Sequence, residues 1–394
     1  MAQETEELIT TALPFPDYRT VQRDHYGLRL GPVMVRYDLS LSAVYTDNRN
    51  YNESGLEEED FGLRPVFHLG LFYPINDRQK LQLDVGVGYQ WWMNRDNQNR
   101  FYISPSSHVD YRFFLGDVQM RVSNNTSSSS EASDRAEYAG GGSTSDLNFN
   151  RLSNVTALNA SWGTRRVSFS GGYSYAITRG LDDDTSSLDR DTHGLNASAL
   201  VTITAPLAAG VSATYSTFSY LEQVQNDGET WSVGPTAEWR PMDSLSLNGY
   251  VHYSESTYER TGTISDNSDF SGIVFGFTAR HQLNRYVSHS ATFSKDVDPG
   301  YGSNFTDTFS VLYAVNGRIS DRLGANLAFT YRKASISGSL DEDADLYRIS
   351  VGTGYQVLRA LNVGLTYSLN TRQSNIEDRE YVENRVTMVA SYKF

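Results

Sequence analysis

Residues 33–46 read VMVRYDLSLSAVYT. Val33, Val35, Tyr37, Leu39, Leu41, Ala43 and Tyr45 alternate with Met34, Arg36, Asp38, Ser40, Ser42, Val44 and Thr46. A strand with this pattern has one apolar face and one face of charges and hydroxyls. Its 14 residues exceed the usual soluble strand. At roughly 3.3 Å per residue it can cross an apolar layer of about 25 Å even when tilted.

The same period recurs along the chain. Runs fall at 33–46, 60–73, 80–92, 101–114, 118–126, 147–162, 167–179, 192–204, 209–220, 229–240, 244–255, 270–281, 286–297, 305–316, 322–333, 345–357, 361–371 and 383–394, eighteen in all. The weakest are 118–126, 209–220 and 286–297, where His289 and Lys295 fall on the apolar face. The connections alternate in length. Short ones such as PINDRQ, LGD, GTRR and APLA separate long ones such as DNRNYNESGLEEE, GLDDDTSSLDRD and STYERTGTISDNSD. Short turns at one end, long loops at the other and an even strand count describe an up-and-down transmembrane barrel with both termini in the periplasm. The segment 123–146, SNNTSSSSEASDRAEYAGGGSTSD, then reads as an extracellular loop.

Composition agrees. The chain has 394 residues and no proline-rich linker beyond its start, so 25–394 reads as one barrel. No run of 18 apolar residues occurs, which excludes a transmembrane helix and leaves the half-apolar strands of a barrel. Aromatics are abundant, with 26 Tyr, 18 Phe and 5 Trp. They cluster near strand ends as two interfacial girdles: Tyr45, Phe61, Trp91, Phe101, Tyr175, Trp231, Tyr253, Phe270, Tyr331 and Tyr347 beside the long loops, Tyr73, Phe113, Trp162, Trp239, Tyr313, Tyr355, Tyr392 and Phe394 at the other end. The absence of cysteine removes disulfides, thiolate nucleophiles and Cys metal sites. A net charge of −14 argues against a nucleic-acid partner. The opening MAQETEEL reads as a start Met before a processed, exported terminus. Residues 1–24 lack strand period and contain Pro14 and Pro16, and are expected to be a periplasmic tail, a lumen plug or a docking peptide for an export partner.

The chain ends NRVTMVASYKF, with Val386, Met388, Ala390, Tyr392 and the terminal Phe394 on the outward face. This resembles the C-terminal signal of bacterial outer-membrane proteins, which implies an outer-membrane location, lipid and lipopolysaccharide as surroundings, and the barrel-assembly machinery as a partner during biogenesis. The opening GLRLGPVMVRYDLSLSAVYTDN, followed by GLRPVFHLGLFY, resembles the β-barrel porins found beside bacterial exopolysaccharide secretion genes. That likeness covers about the first 100 residues and implies export of a surface polysaccharide, with glycan as cargo.

Inward positions of the later strands are small and neutral, including Ser168, Ser170, Gly172, Ser174, Ser198, Ser212, Thr214, Asn248, Thr292, Asn326, Gly352, Thr366 and Ser368. They form either a polar conduit or an ordinary wet lumen. The first five strands instead carry Arg36, Asp38, Arg64, His68, Asp84, His108, Asp110, Arg112 and Arg121 inward, and closure brings Arg348 and Arg385 to the same sector. Such a wall either imposes a transverse field on permeants or forms an ion-paired network that stiffens the barrel. These residues lie away from the extracellular rim and have no dedicated nucleophile, so no enzyme is expected. No cofactor or metal site is expected, and the acidic runs EEED, DDDTSSLD and DEDAD read as solvated charge rather than Ca²⁺ loops. Export of a polysaccharide is the leading functional expectation. The alternatives are a general diffusion porin for small hydrophilic solutes and a structural or adhesive barrel. A porin commonly folds a long loop inward, and the longest loop here, rich in Ser, Gly and Asn, has little with which to pin itself to the wall.

Overall fold

The computed structural model describes residues 27–94, 98–129, 150–338, 342–376 and 379–394. The segment 1–24 and most of the loop 123–146 lie outside the described residues. Twenty strands form: β1 Leu28–Leu30, β2 Val33–Thr46, β3 Asp60–Asn76, β4 Gln79–Trp92, β5 Arg100–Ile103, β6 His108–Leu115, β7 Val118–Ser129, β8 Arg151–Gly163, β9 Val167–Gly180, β10 Arg190–Thr204, β11 Leu207–Tyr220, β12 Gly228–Met242, β13 Leu245–Tyr258, β14 Phe270–Gln282, β15 Val287–Pro299, β16 Phe305–Arg318, β17 Leu323–Ile336, β18 Asp343–Gln356, β19 Leu361–Ser374 and β20 Tyr381–Lys393.

They build an eighteen-stranded antiparallel barrel. The segment 101–114 is one wall position occupied by two strands, since β4 pairs with β5 at Val87↔Ile103 and with β6 at Asp84↔His108. Pro105 has no N–H to give the ladder, and the chain turns there, with the Ser107 N–H donating to the Ser104 carbonyl at 2.9 Å. Closure is by β20 on β2, from Asp38↔Lys393 to Thr46↔Arg385. Below the end of β20 the short strand β1 takes over its place beside β2, at Leu28↔Val35. Among the described residues each spanning strand therefore pairs with a neighbour on both sides, which an apolar solvent demands.

Turns at one rim are two to four residues long, and the connections at the other that lie wholly within the described residues run from five (300–304) to 13 (47–59). The outward face of β2 carries Tyr37, Leu39, Leu41 and Tyr45, all exposed outside the barrel, and β3 and β4 continue it with Phe67, Val85 and Val87. Phe270 departs from the expected outer girdle: it pairs with Ser256 on the inward face, is buried, and packs edge-on against Phe305 at 5.6 Å.

The two faces of one strand differ in what a charge costs. Ala197 and Asn196 are neighbours at the middle of β10, one outward and one inward, and both are exposed. Ala197→Arg should destabilise the barrel by about 2–4 kcal/mol in lipid vesicles, and Asn196→Arg by less than about 1 kcal/mol. Urea unfolding in vesicles measures both, with loss of the unheated gel-mobility shift as a second readout.

Candidate functional site

The charged positions of β2–β4 and β6–β7 share the lumen side of the wall. Arg36 bridges two carboxylates, with Nε 3.0 Å from Asp38 and Nη2 2.8 Å from Asp84. Gln82 donates to the other oxygen of Asp84 at 2.7 Å. His108 donates from Nδ1 to the Ser106 carbonyl at 2.9 Å, which turns its Nε2 toward Asp84 at 3.4 Å. Asp84 lies flat because Gly70 stands opposite: a Cβ there would come within 2.7 Å of its carboxylate. His68 pairs across the ladder with Asp38 and reaches the Ser106 hydroxyl at 3.4 Å. Asp110 is buried and holds Arg112 at 2.6 Å and Arg121. Every cation–carboxylate contact here is part-buried, so each stabilises more than an exposed pair but also carries a desolvation cost.

Higher on the same side a second chain of bonds crosses the closure seam. The buried Glu383 accepts from Thr46 at 2.7 Å, Asn370 at 2.6 Å and Arg385 at 2.9 Å. Arg348 donates to Asn370 at 2.6 Å, and Arg385 donates to the Tyr51 hydroxyl at 3.1 Å. At the rim Glu342 is buried between Arg372 and Arg379 and accepts from Ser374 at 2.7 Å. Glu383, Glu342, Tyr51 and Arg49 escape a reading by strand period because they sit at strand tips and in loops, where alternation carries no information.

Among the described residues the first loop, 47–59, folds inward. Arg49 and Tyr51 are buried, and Tyr51 packs edge-on against the inward Tyr381 at 4.7 Å. Asn48 anchors it by donating to the Val382 carbonyl at 3.0 Å. Arg64, on inward β3, and Arg49 both lie over the inward Trp92, at 5.2 and 4.4 Å. Aromatic and cationic side chains supply the grip of this loop on the wall.

The opposite side of the mouth is closed in by a cluster built on Asp266. Its carboxylate accepts from the Asn304 N–H at 2.7 Å, the Ser337 hydroxyl at 2.5 Å and the Ser268 N–H at 2.8 Å. Asn226 donates to the Asp266 carbonyl at 3.1 Å and to Asn304 at 2.8 Å, so loops 221–227, 259–269 and 300–304 and Ser337 just past the end of β17 are tied at one point. Burial pushes the Asp266 carboxyl up, but these donors outweigh it and hold it below the ordinary carboxylate range.

Between the two sides the lumen is hydroxyl-lined. Ser212 and Ser232 flank His252 at 2.7 and 3.3 Å, Thr214 meets Ser232 at 2.7 Å, and Ser170 meets Ser198 at 2.7 Å. The far wall carries Arg190, Arg280, Arg318 and Arg332 inward against Glu238, Asp296 and Asp298. The inward face is thus net basic in a chain of net charge −14, whose carboxylates are concentrated in the loops. Among the described residues no three His, Asp or Glu converge as a metal site.

No family model matches the chain, and no curated protein matches it in sequence. In fold it is similar to the outer membrane protein OpdK of Pseudomonas aeruginosa, at 11% identity and a TM-score of 0.51, over 91% of this chain and 98% of that one. It is also similar to OpdQ of the same organism, at 12% identity and a TM-score of 0.50, over 93% and 99%. The likeness is one of fold, that of eighteen-stranded outer-membrane porin barrels. The apolar exterior and closed sheet place the chain in a bacterial outer membrane.

Because the folded Asp266 pKa is depressed, its stabilisation of the loop cluster is complete at neutral pH and is lost as pH falls through that depressed value, below the ordinary carboxylate range. Amide exchange in loops 221–227, 259–269 and 300–304 should stay slow in mild acid and accelerate together in stronger acid. Asp266→Ala should produce the same loosening at neutral pH, by about 3 kcal/mol of local opening free energy.

Proposed function

We propose that the chain is an outer-membrane diffusion channel for small hydrophilic solutes with a preference for anions. The observation that carries this reading is the inward face: a closed eighteen-stranded wall of Ser, Thr, Asn and Gly interrupted by a net basic sector. Hydroxyls and amides exchange hydrogen bonds with water and solutes at little net cost, and guanidiniums lower the energy of a passing anion. The bridged carboxylates keep those guanidiniums fixed in place, so the ion-pair network and the selectivity wall are one structure.

Export of a polysaccharide is the weaker reading. Its support is the resemblance of the first 100 residues and the sugar-compatible lumen. Against it stands the mouth, where inward residues such as Ser256, Phe270 and Tyr381 are buried under loops folded over the lumen. A sliding polymer needs an unobstructed path, whereas a narrowed mouth suits small solutes. In this reading the short-turn rim, where both described ends of the chain meet, faces the periplasm, and the long loops face outward. A tag inserted near Ser130 is then accessible to antibody on intact cells, and labelling only after permeabilisation would invert the orientation.

Reconstituted in planar bilayers, the protein should give discrete ion-current steps with anion over cation selectivity. The triple variant Arg36→Ala, Arg64→Ala and Arg121→Ala should lower the anion/cation permeability ratio severalfold without abolishing the steps, since about 1 kcal/mol of pore electrostatics is worth roughly fivefold. Unchanged selectivity would assign the three arginines to wall stiffening alone. A clean deletion strain with normal surface polysaccharide and slower uptake of small anions supports diffusion over export.

A further inference from the structure

The segment Asn48–Tyr51 lies across the inside of the mouth like a shelf, from β20 on one side of its own strand to β4 on the other. Its two ends are held differently. At one end Tyr51 rests on Tyr381 and bonds Arg385, both inward on β20. At the other, Asn48 donates to the Val382 carbonyl at 3.0 Å, and the guanidinium of Arg49, which is fully buried, lies 4.4 Å over the ring of Trp92 on β4.

The Trp92 end is a built slot. Trp92 pairs across the ladder with Gly62, and a Cβ at residue 62 would meet the indole at 2.7 Å, so the ring lies flat only because that position is glycine. The indole N–H has no partner, and the ring is held through its faces, with Gly62 of β3 against it and the guanidiniums of Arg49, at 4.4 Å, and Arg64, at 5.2 Å, over it. The shelf is also held in an uncommon backbone state. Among the described residues Tyr51 is the one non-glycine with positive φ, at 56°. A bulky residue stays in that region only when its surroundings over-determine it, which is what the bonds to Tyr381 and Arg385 do.

We propose that this shelf, clamped by Arg49 on Trp92, is the size filter of the channel: it sets the largest solute that passes the mouth, and release of the clamp widens the path. The inference rests on the channel reading and assigns it a size-determining element. Arg49 fits the role because a guanidinium on an aromatic face grips without a unique hydrogen-bond geometry, so the shelf can yield and re-seat. Trp92 acts through Arg49 and is a positioning residue.

The chain has no cysteine, so one placed below the shelf reports on passage directly. Ser40 faces the lumen on β2, six positions below Thr46. Cells displaying Ser40→Cys are treated from outside with maleimides of increasing size, in the native background and with Arg49→Ala, Trp92→Ala or Trp92→Phe. The expected result is exclusion of a large polymer-linked maleimide by the native mouth. Arg49→Ala and Trp92→Ala should label about thirtyfold faster with it, the scale of one desolvated cation–π contact, while small maleimides react equally in all and Trp92→Phe stays near native. Each variant is checked for the unheated gel shift of a folded barrel. Arg49→Ala leaves every spanning strand intact, so it answers the question even if Trp92→Ala does not assemble. Equal exclusion of the large reagent in native and Arg49→Ala barrels overturns the proposal. This readout needs no ion current, so a barrel that labels as expected but gives no steps in bilayers would refute the diffusion reading and leave the shelf standing as a size barrier.

Discussion

Hydrocarbon offers no partner to a peptide group, and the rest of this structure follows from that constraint. A sheet can enter such a solvent only if its first and last strands meet, and here they do so from Asp38↔Lys393 to Thr46↔Arg385. Closure in turn defines an inside. Once residues such as Arg36 and Asp84 are confined there, they must find each other across the wall, and they do so at 2.8 Å. The seam that closes the barrel is also where Glu383 joins Thr46, Asn370 and Arg385, so the polar network of the upper lumen is assembled by the same event that removes the sheet's edges.

Much of the architecture was readable because period two is a direct print of the two solvents. The run 33–46 coincides with β2, and 361–371 lies within β19. Reading fails where the period stops or a local residue overrides it. The run 101–114 continues its alternation through Pro105, yet the ladder breaks there for want of an N–H. Phe270 looks like a girdle aromatic by position near a strand end, but its register with Ser256 turns it inward under the loops. The grip of the first loop was illegible for a different reason: Arg49, Tyr51, Trp92 and Tyr381 are distant in sequence, and only closure makes them neighbours.

The charged wall shows the same division. Inward arginines and aspartates on β2–β7 could be placed on one face by counting, and rough register puts Asp110 beside Arg112 and Arg121, with both of which it forms ion pairs. Counting could not show that Glu383 and Glu342 hold the upper arginines, since Glu383 stands at a strand tip and Glu342 lies in the acidic run DEDAD, whose composition suggests solvated charge although Glu342 is buried between Arg372 and Arg379. Nor does an overall charge of −14 suggest a net basic lumen. The two signs are sorted by place, with carboxylates in the loops and cations on the inner wall, and a summed charge hides that sorting.

Glycines on the inner wall have a consequence for the bore of the barrel. Opposite Gly70 and Gly86 the side chains of Asp84 and His68 recline along the sheet, because a Cβ at either glycine would come within 2.7 Å and 2.5 Å of them. The aqueous cross-section is therefore governed partly by residues that present nothing to the water. Replacing one of them by alanine would add a single methyl group behind its neighbour and tip a charged or aromatic arm upright into the stream. The calibre of the pore is thus tuned beneath its lining, at glycines whose own bareness lets the charged and aromatic arms beside them lie down.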